Sequence, residues 1–259
     1  MKIPIYQIDA FTSRIFSGNP AAVCPLEAWL EDSLMQAIAQ ENNLSETAFF
    51  VPGEEPLRIR WFTPSMEVDL CGHATLASAF LIFNYLDTSL ESVTFTSRSG
   101  ELVVEKNGEL LTMNFPAQPA DPCPTPPALA EGLGMEPIEA LRSEDFLAVF
   151  ASEDQVRELH PDMKRLRDLD LRGVIVTARG DEADFVSRFF APKVGIDEDP
   201  VTGSAHTVLI PYWSQKLNKK DMKALQVSQR GGEIFCQDRG ERVLISGHAA
   251  LYLTGRITV

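Results

Sequence analysis

Apolar and polar positions alternate along Ile3-Pro4-Ile5-Tyr6-Gln7-Ile8-Asp9-Ala10-Phe11, the pattern of a half-buried strand. Turn chemistry follows at Phe16-Ser17-Gly18-Asn19-Pro20. From Trp29 to Gln40 the period changes. Leu30, Leu34, Ala37 and Ile38 share one stripe, which predicts an amphipathic helix. Thr47 to Val51 and Leu57 to Phe62 read as strands, and Pro64 breaks the second. Between Gly72 and Leu86 the apolar residues leave no continuous polar face. The segment is too short to span a bilayer comfortably, so it predicts a helix buried on all sides. A second such helix is expected from Gly203, with Val208, Leu209, Ile210, Tyr212 and Trp213; Pro211 predicts a kink or an early end. Short alternating strands with glycine turns follow each helix: Ser92–Thr96, Glu101–Glu105 and Leu110–Phe115, then Ala224–Ser228, Glu233–Cys236 and Arg242–Ser246.

These two series are one series repeated. Arg98, Gly100, Glu101, Gly108 and Glu109 recur as Arg230, Gly232, Glu233, Gly240 and Glu241 at a constant offset of about half the chain. Phe62-Thr63-Pro64 precedes Gly72-His73-Ala74 as Phe190-Ala191-Pro192 precedes Gly203-Ser204-Ala205. A single period of half the chain means two similar domains, not a solenoid of short repeats. The proline-dense stretch from Pro116 to Pro127 reads as a stiff connector. The expected halves are residues 1–117 and 118–259, with the strands Ala249–Leu253 and Arg256–Val259 crossing back to complete the first sheet. The fold class is α+β: two pseudo-symmetric domains, each a curved, mostly antiparallel sheet around a buried helix. In such an arrangement the functional site is expected where the halves meet.

Composition narrows the function. A net charge of −14 and a pI near 4.7 oppose nucleic acid or an anionic membrane as partner, because phosphate binding needs a basic face. No run approaches the length of a membrane helix, and no apolar leader follows Met1-Lys2-Ile3-Pro4. Cys24, Cys71, Cys123 and Cys236 show no paired spacing and read as reduced thiols of a cytoplasmic protein. The four histidines form no His-x-x-x-His, so no metal is expected. No G-x-G-x-x-G or Walker A string supports a nucleotide cofactor.

Candidate chemistry gathers at the two helix starts. The first turn of a helix presents N–H groups and positive potential. Gly72 to Ala74 and Gly203 to Ala205 would let a carboxylate approach that backbone closely. The halves then diverge. His73 corresponds to Ser204, Glu46 corresponds to Val174, and Cys71 faces the different run Glu198-Asp199-Pro200-Val201-Thr202. Polar residues present in only one half suggest a division of labour. Glu46 enters the apolar strand Thr47-Ala48-Phe49-Phe50-Val51, where desolvation favours a general acid/base. His73 in a first helical turn is expected to stay neutral. Asp199 and its neighbours read as an acidic N-capping region.

Taken together and in order, Asp9-Ala10-Phe11-Thr12, Gly18-Asn19-Pro20, Ser45-Glu46-Thr47-Ala48, Cys71-Gly72-His73-Ala74-Thr75, Glu198-Asp199-Pro200-Val201-Thr202-Gly203-Ser204-Ala205 and Ser246-Gly247-His248-Ala249 resemble the PhzF-like isomerase family of phenazine biosynthesis. The resemblance implies the diaminopimelate-epimerase-like fold, with the site between the two domains. It also implies a homodimer and a small carboxylate-bearing substrate. By the same resemblance the acid/base glutamate is Glu46, with His73, Asp199 and Ser204 as the other catalytic residues and Cys71, Gly72, Ala74, Gly203 and Ala205 around the bound anion. No cofactor is implied; the characterised member isomerises a dihydro-hydroxyanthranilate without one. Related racemases and epimerases use two opposed cysteines. Cys71 stands at one such place and the other falls near Pro200, which argues against two-base racemisation. Three functions stay open at this point: a proton-shifting isomerase, an epimerase using Cys71, and a non-catalytic metabolite- or protein-binding member.

Overall fold

The computed structural model describes all 259 residues. The chain forms two compact units, Met1–Asn114 with Ser246–Val259, and Phe115–Ile245. Its elements follow in chain order. Unit 1 holds β1 (Lys2–Ala10), β2 (Asn19–Pro25), α1 (Asp32–Asn42), β3 (Glu46–Phe50), β4 (Ile59–Phe62), β5 (Glu67–Val68), α2 (Gly72–Leu81), β6 (Ser92–Ser97) and β7 (Gly100–Asn107). The boundary falls inside β8 (Leu110–Pro116). Unit 2 holds β9 (Asp121–Pro122), α3 (Pro127–Leu133), β10 (Glu139–Arg142), β11 (Phe146–Val149), α4 (Glu153–Glu158), α5 (Met163–Arg167), β12 (Val174–Arg179), β13 (Phe185–Ala191), β14 (Ile196–Asp199), α6 (Gly203–Leu217), β15 (Asp221–Gln226) and β16 (Gly232–Asp238). The chain returns to unit 1 within β17 (Arg242–Gly247), and β18 (Ala249–Thr258) ends it.

The pairing repeats strand for strand. In unit 1, β18, β1 and β2 pair antiparallel, β2 and β3 pair parallel across α1, and β3, β4 and β5 pair antiparallel. In unit 2, β9, β10 and β11 pair antiparallel, β11 and β12 pair parallel across α4 and α5, and β12, β13 and β14 pair antiparallel. A central helix and a meander then follow in each: α2 with β6, β7 and β8, and α6 with β15, β16 and β17. Parallel pairs need a crossover, and the helices between the paired strands supply it.

Each unit has its own core. On one face of the first sheet, Cys24, Met35, Ile38, Phe49 and Phe62 pack beneath α1. In unit 2, Leu129, Phe146, Val156, Leu166, Val176 and Phe190 form the corresponding layer beneath α3, α4 and α5. The other sheet faces carry the central helices. Residues 73–79 of α2 and 205–210 of α6 are buried, which explains why neither helix has an amphipathic stripe.

Several expectations need correction. α1 starts at Asp32 rather than Trp29. The Trp29 indole instead donates to the Glu54 carboxylate at 3.0 Å, under the Arg58 guanidinium. The helix expected to be buried from Gly72 to Leu86 stays buried only to Ile82–Phe83. Its last turn widens, with Asp87 N–H bonding Ile82 C=O at 2.8 Å, and carries Asn84, Tyr85 and Leu86 into solvent. Pro211 does not end α6, which runs through it to Leu217. The missing N–H at 211 would orphan the Thr207 carbonyl, but the Gln118 N–H donates to it at 3.0 Å. The proline-rich stretch is not a bare spacer, because Asp121–Pro122 pairs with β10 as an edge strand. The C-terminal residues form one long strand rather than two. β18 stays paired with β1 throughout, and a bulge at Tyr252 absorbs the irregularity.

Candidate active site

In unit 1 three elements bring three polar side chains together. Glu46 opens β3, opposite Ala21 of β2, and is only 9% exposed although it begins a strand of buried residues. Cys71 is the N-cap of α2, in extended conformation, and His73 is the second residue of the helix. Each is 6% exposed. His73 Nε2 lies 3.2 Å from Glu46 Oε2, and His73 Nδ1 lies 3.5 Å from Cys71 Sγ. The imidazole is therefore flanked by a carboxylate on one nitrogen and a thiol on the other. The approach to Glu46 is at ion-pair distance, yet Nε2 makes no aligned hydrogen bond. Burial pushes the His73 pKa down from 6.5 to about 3, so the ring is neutral and no imidazolium–carboxylate bridge forms at neutral pH. The start of α2 is held by Thr75, whose hydroxyl donates to the Cys71 carbonyl at 2.6 Å.

Unit 2 builds the corresponding helix start differently. Asp199 ends β14, and its Oδ2 accepts from the Thr202 hydroxyl at 2.6 Å. Gln226 of β15 ties this turn. Its Oε1 accepts the Thr202 N–H at 2.8 Å, and its Nε2 donates to the Asp199 carbonyl at 2.8 Å. Ser204 is the second residue of α6, as His73 is of α2. Its hydroxyl accepts from Arg172 Nη2 at 3.2 Å, while the same guanidinium makes a two-pronged bond to the buried Asp145 at 3.0 and 2.6 Å. His206 donates from Nδ1 to the Thr202 carbonyl at 2.8 Å, the task Thr75 performs in unit 1.

At α6 the N-cap position lies three residues beyond Asp199. Thr202 is the N-cap, its side chain accepts no hydrogen bond from the first turn, and its hydroxyl is turned back to Asp199. Glu198 is occupied by Arg188 at 2.8 and 3.1 Å. The N-cap side chain of α2 caps nothing either. Neither N-cap side chain, Cys71 or Thr202, accepts a hydrogen bond from its own first turn. Arg172, Asp145 and Gln226 carry no motif and were not legible from sequence.

Glu46 and His73 of unit 1 meet within contact distance, and Asp199 and Ser204 of unit 2 lie on either side of the Thr202 turn. A phenazine biosynthesis-like protein family, PhzC-PhzF, matches residues 8–255. The chain belongs to this family. An uncharacterized isomerase of Pseudomonas aeruginosa is 54% identical over 257 residues, covering 99% of each chain. The crystal structure of a phenazine biosynthesis protein of the PhzF family from Enterococcus faecalis superimposes with a TM-score of 0.98, at 48% identity and with all of both chains covered. A hydroxyproline epimerase from Agrobacterium vitis shares the fold, with a TM-score of 0.61 over 99% of this chain and 92% of that one, at only 9% identity. The PhzF-family chain is thus an isomerase with the epimerase-like α+β fold, and no helix in it is long and apolar enough to cross a membrane.

Proposed function

We propose that this isomerase moves a proton, and with it a double bond, within a small carboxylate-bearing metabolite, and that Glu46 carries the proton without a cofactor. The observation behind the reading is the buried Glu46–His73 contact of 3.2 Å at the start of α2. In the proposed step Glu46 takes a proton from a carbon of the substrate. The electron pair left behind delocalises toward the substrate carboxylate, and Glu46 returns the proton to a second carbon. No atom is gained or lost, so no oxidant or other co-reactant is needed. A neutral His73 suits this role, since an imidazolium at 3.2 Å would hold Glu46 as a poorly basic anion. First-turn N–H groups at Gly72–Ala74 and Gly203–Ala205 are proposed to hold negative charge as it develops. Asp199 and Ser204 are carried into the assignment by the family motif, as groups that bind and orient the substrate. A homodimer in a reducing compartment is proposed on the same resemblance, and the four free thiols fit it.

One observation favours a second reading. Cys71 Sγ sits 3.5 Å from His73 Nδ1 at the first turn of α2, where the helix dipole favours a thiolate that would act as the base in an epimerisation. The readings separate in heavy water. An isomerase acting through Glu46 incorporates deuterium at a new carbon and loses this in Glu46→Gln. An epimerase acting through Cys71 inverts a stereocentre and loses this in Cys71→Ser.

A further inference from the structure

We infer that Glu46, Cys71 and His73 form a capture site for one zinc ion, a soft-cation site superimposed on the proposed proton-transfer centre. One oxygen, one sulfur and one nitrogen from these three residues all lie within 4.8 Å of one another, and all three residues are buried. Tetrahedral zinc, with metal–sulfur bonds of about 2.3 Å and metal–nitrogen or –oxygen bonds of about 2.0–2.1 Å, sets sulfur and nitrogen about 3.5 Å apart and nitrogen and oxygen about 3.4 Å apart. In the protein Cys71 Sγ lies 3.5 Å from His73 Nδ1 and Glu46 Oε2 lies 3.2 Å from His73 Nε2, so each distance matches an edge but on a different ring nitrogen. An ion bound to one of these nitrogens therefore requires the group at the other nitrogen to move toward it, across a cluster already within 4.8 Å. His73 Nε2, buried and without an aligned hydrogen bond, is the nitrogen that gains most by ligation.

Charge and hardness select the ion. A thiolate and a carboxylate cancel the two charges of the metal, so capture leaves the buried site neutral. Sulfur and imidazole donors suit zinc, whereas magnesium and calcium need an all-oxygen shell of six or more ligands. Three protein ligands leave the fourth tetrahedral position open. The sequence conceals the site because its ligands have no paired spacing: Cys71 and His73 are two residues apart, and Glu46 arrives from another strand. If Glu46 is the base, a bound zinc occupies its carboxylate and blocks proton transfer until a chelator removes it. That consequence rests on the proposed function; the binding itself does not.

The test uses the full chain, freed of metal by dialysis against EDTA and titrated with zinc in competition with a chromophoric chelator. One site per chain is expected. Affinity should fall at least about tenfold in Cys71→Ser and in His73→Gln, and stay unchanged in His160→Gln, whose histidine is exposed and outside the cluster. Cobalt(II) should give a thiolate-to-metal charge-transfer band that Cys71→Ser abolishes, and excess magnesium should not compete. No stoichiometric binding, or binding that survives both substitutions, would overturn the inference; the second result would place the ion on the acidic surface. Because none of these readouts uses turnover, a chain that binds zinc at Cys71 but exchanges deuterium without Glu46 would refute the proposed function and leave the zinc site standing.

Discussion

Acid should weaken unit 2 through His206, at pH values above those where its lowered carboxylates Glu153 and Asp184 contribute. His206 is fully buried in α6, and burial lowers its pKa from 6.5 to about 4 despite the hydrogen bond to Thr202. The unfolded chain takes up a proton as pH falls below 6.5, while the native state stays neutral down to about 4. The unfolded state therefore binds more protons in this window, and stability is lost as pH falls through it, by about 1.4 kcal/mol per pH unit. Between pH 7 and pH 5 the loss is about 2 kcal/mol, a large share of an ordinary domain's stability. The lowered carboxylates of unit 2, Glu153 and Asp184, contribute only below their ordinary values of 4.5 and 3.8. Hydrogen exchange followed by mass spectrometry on peptides covering α6 isolates the effect. Protection factors, corrected for intrinsic rates, should fall about 30-fold from pH 7 to pH 5. His206→Asn keeps a side-chain N–H donor for the Thr202 carbonyl but cannot titrate. It should lower protection at both pH values and abolish the His206 share of the pH-dependent fall. If His206→Asn shows the same pH-dependent fall as the parent, buried His206 is not its source.

Other perturbations read other parts of the structure. Gly18 has φ +67°, and a Cβ there would lie 2.2 Å from the Ala10 carbonyl oxygen, so Gly18→Ala should cost more than about 1 kcal/mol in urea unfolding. Trp213 Nε1 donates at 2.9 Å to Thr177 Oγ1, which itself donates to the Val186 carbonyl. Thr177→Val strands the buried indole N–H and should destabilise by about 1–3 kcal/mol, visible as a lowered urea midpoint. Arg172→Gln leaves Asp145, 2% exposed, without its guanidinium partner. With Arg172 itself partly solvated, the expected loss is about 1–3 kcal/mol at pH 7, and Asp145→Asn in the same background should recover part of it.

The parts of the fold legible in sequence were those whose signal is local or repeated. The apolar runs of α2 and α6 read as buried helices because no face was polar, and the recurring Arg-x-Gly-Glu strings marked the duplication. The region from Pro127 to Asp199 was harder. Phe146–Val149 is buried at every position, so β11 shows no alternation to distinguish it from a helix segment. Pro211 misled because the bond that rescues the Thr207 carbonyl comes from Gln118, far away in sequence. At the site, Glu46 stood out as a carboxylate entering an apolar strand. Its approach to His73 depends on β3 and the start of α2 meeting in space, which no spacing encodes. Arg172 and Asp145 are ordinary charged residues in sequence, and their pairing, with the Arg172 bond to Ser204, emerges only from the fold.

The central claim is that Glu46 carries the proton, and proton exchange with solvent tests it most directly. The purified chain would be incubated in heavy water with a dihydro-hydroxyanthranilate and a panel of unsaturated carboxylates, and deuterium incorporation located by NMR. On any compound the parent chain labels, Glu46→Gln should label at least about a hundredfold more slowly while still binding it, and Cys71→Ser should label at close to the parent rate. Labelling that persists in Glu46→Gln and disappears in Cys71→Ser would contradict the account and assign the chemistry to the thiol.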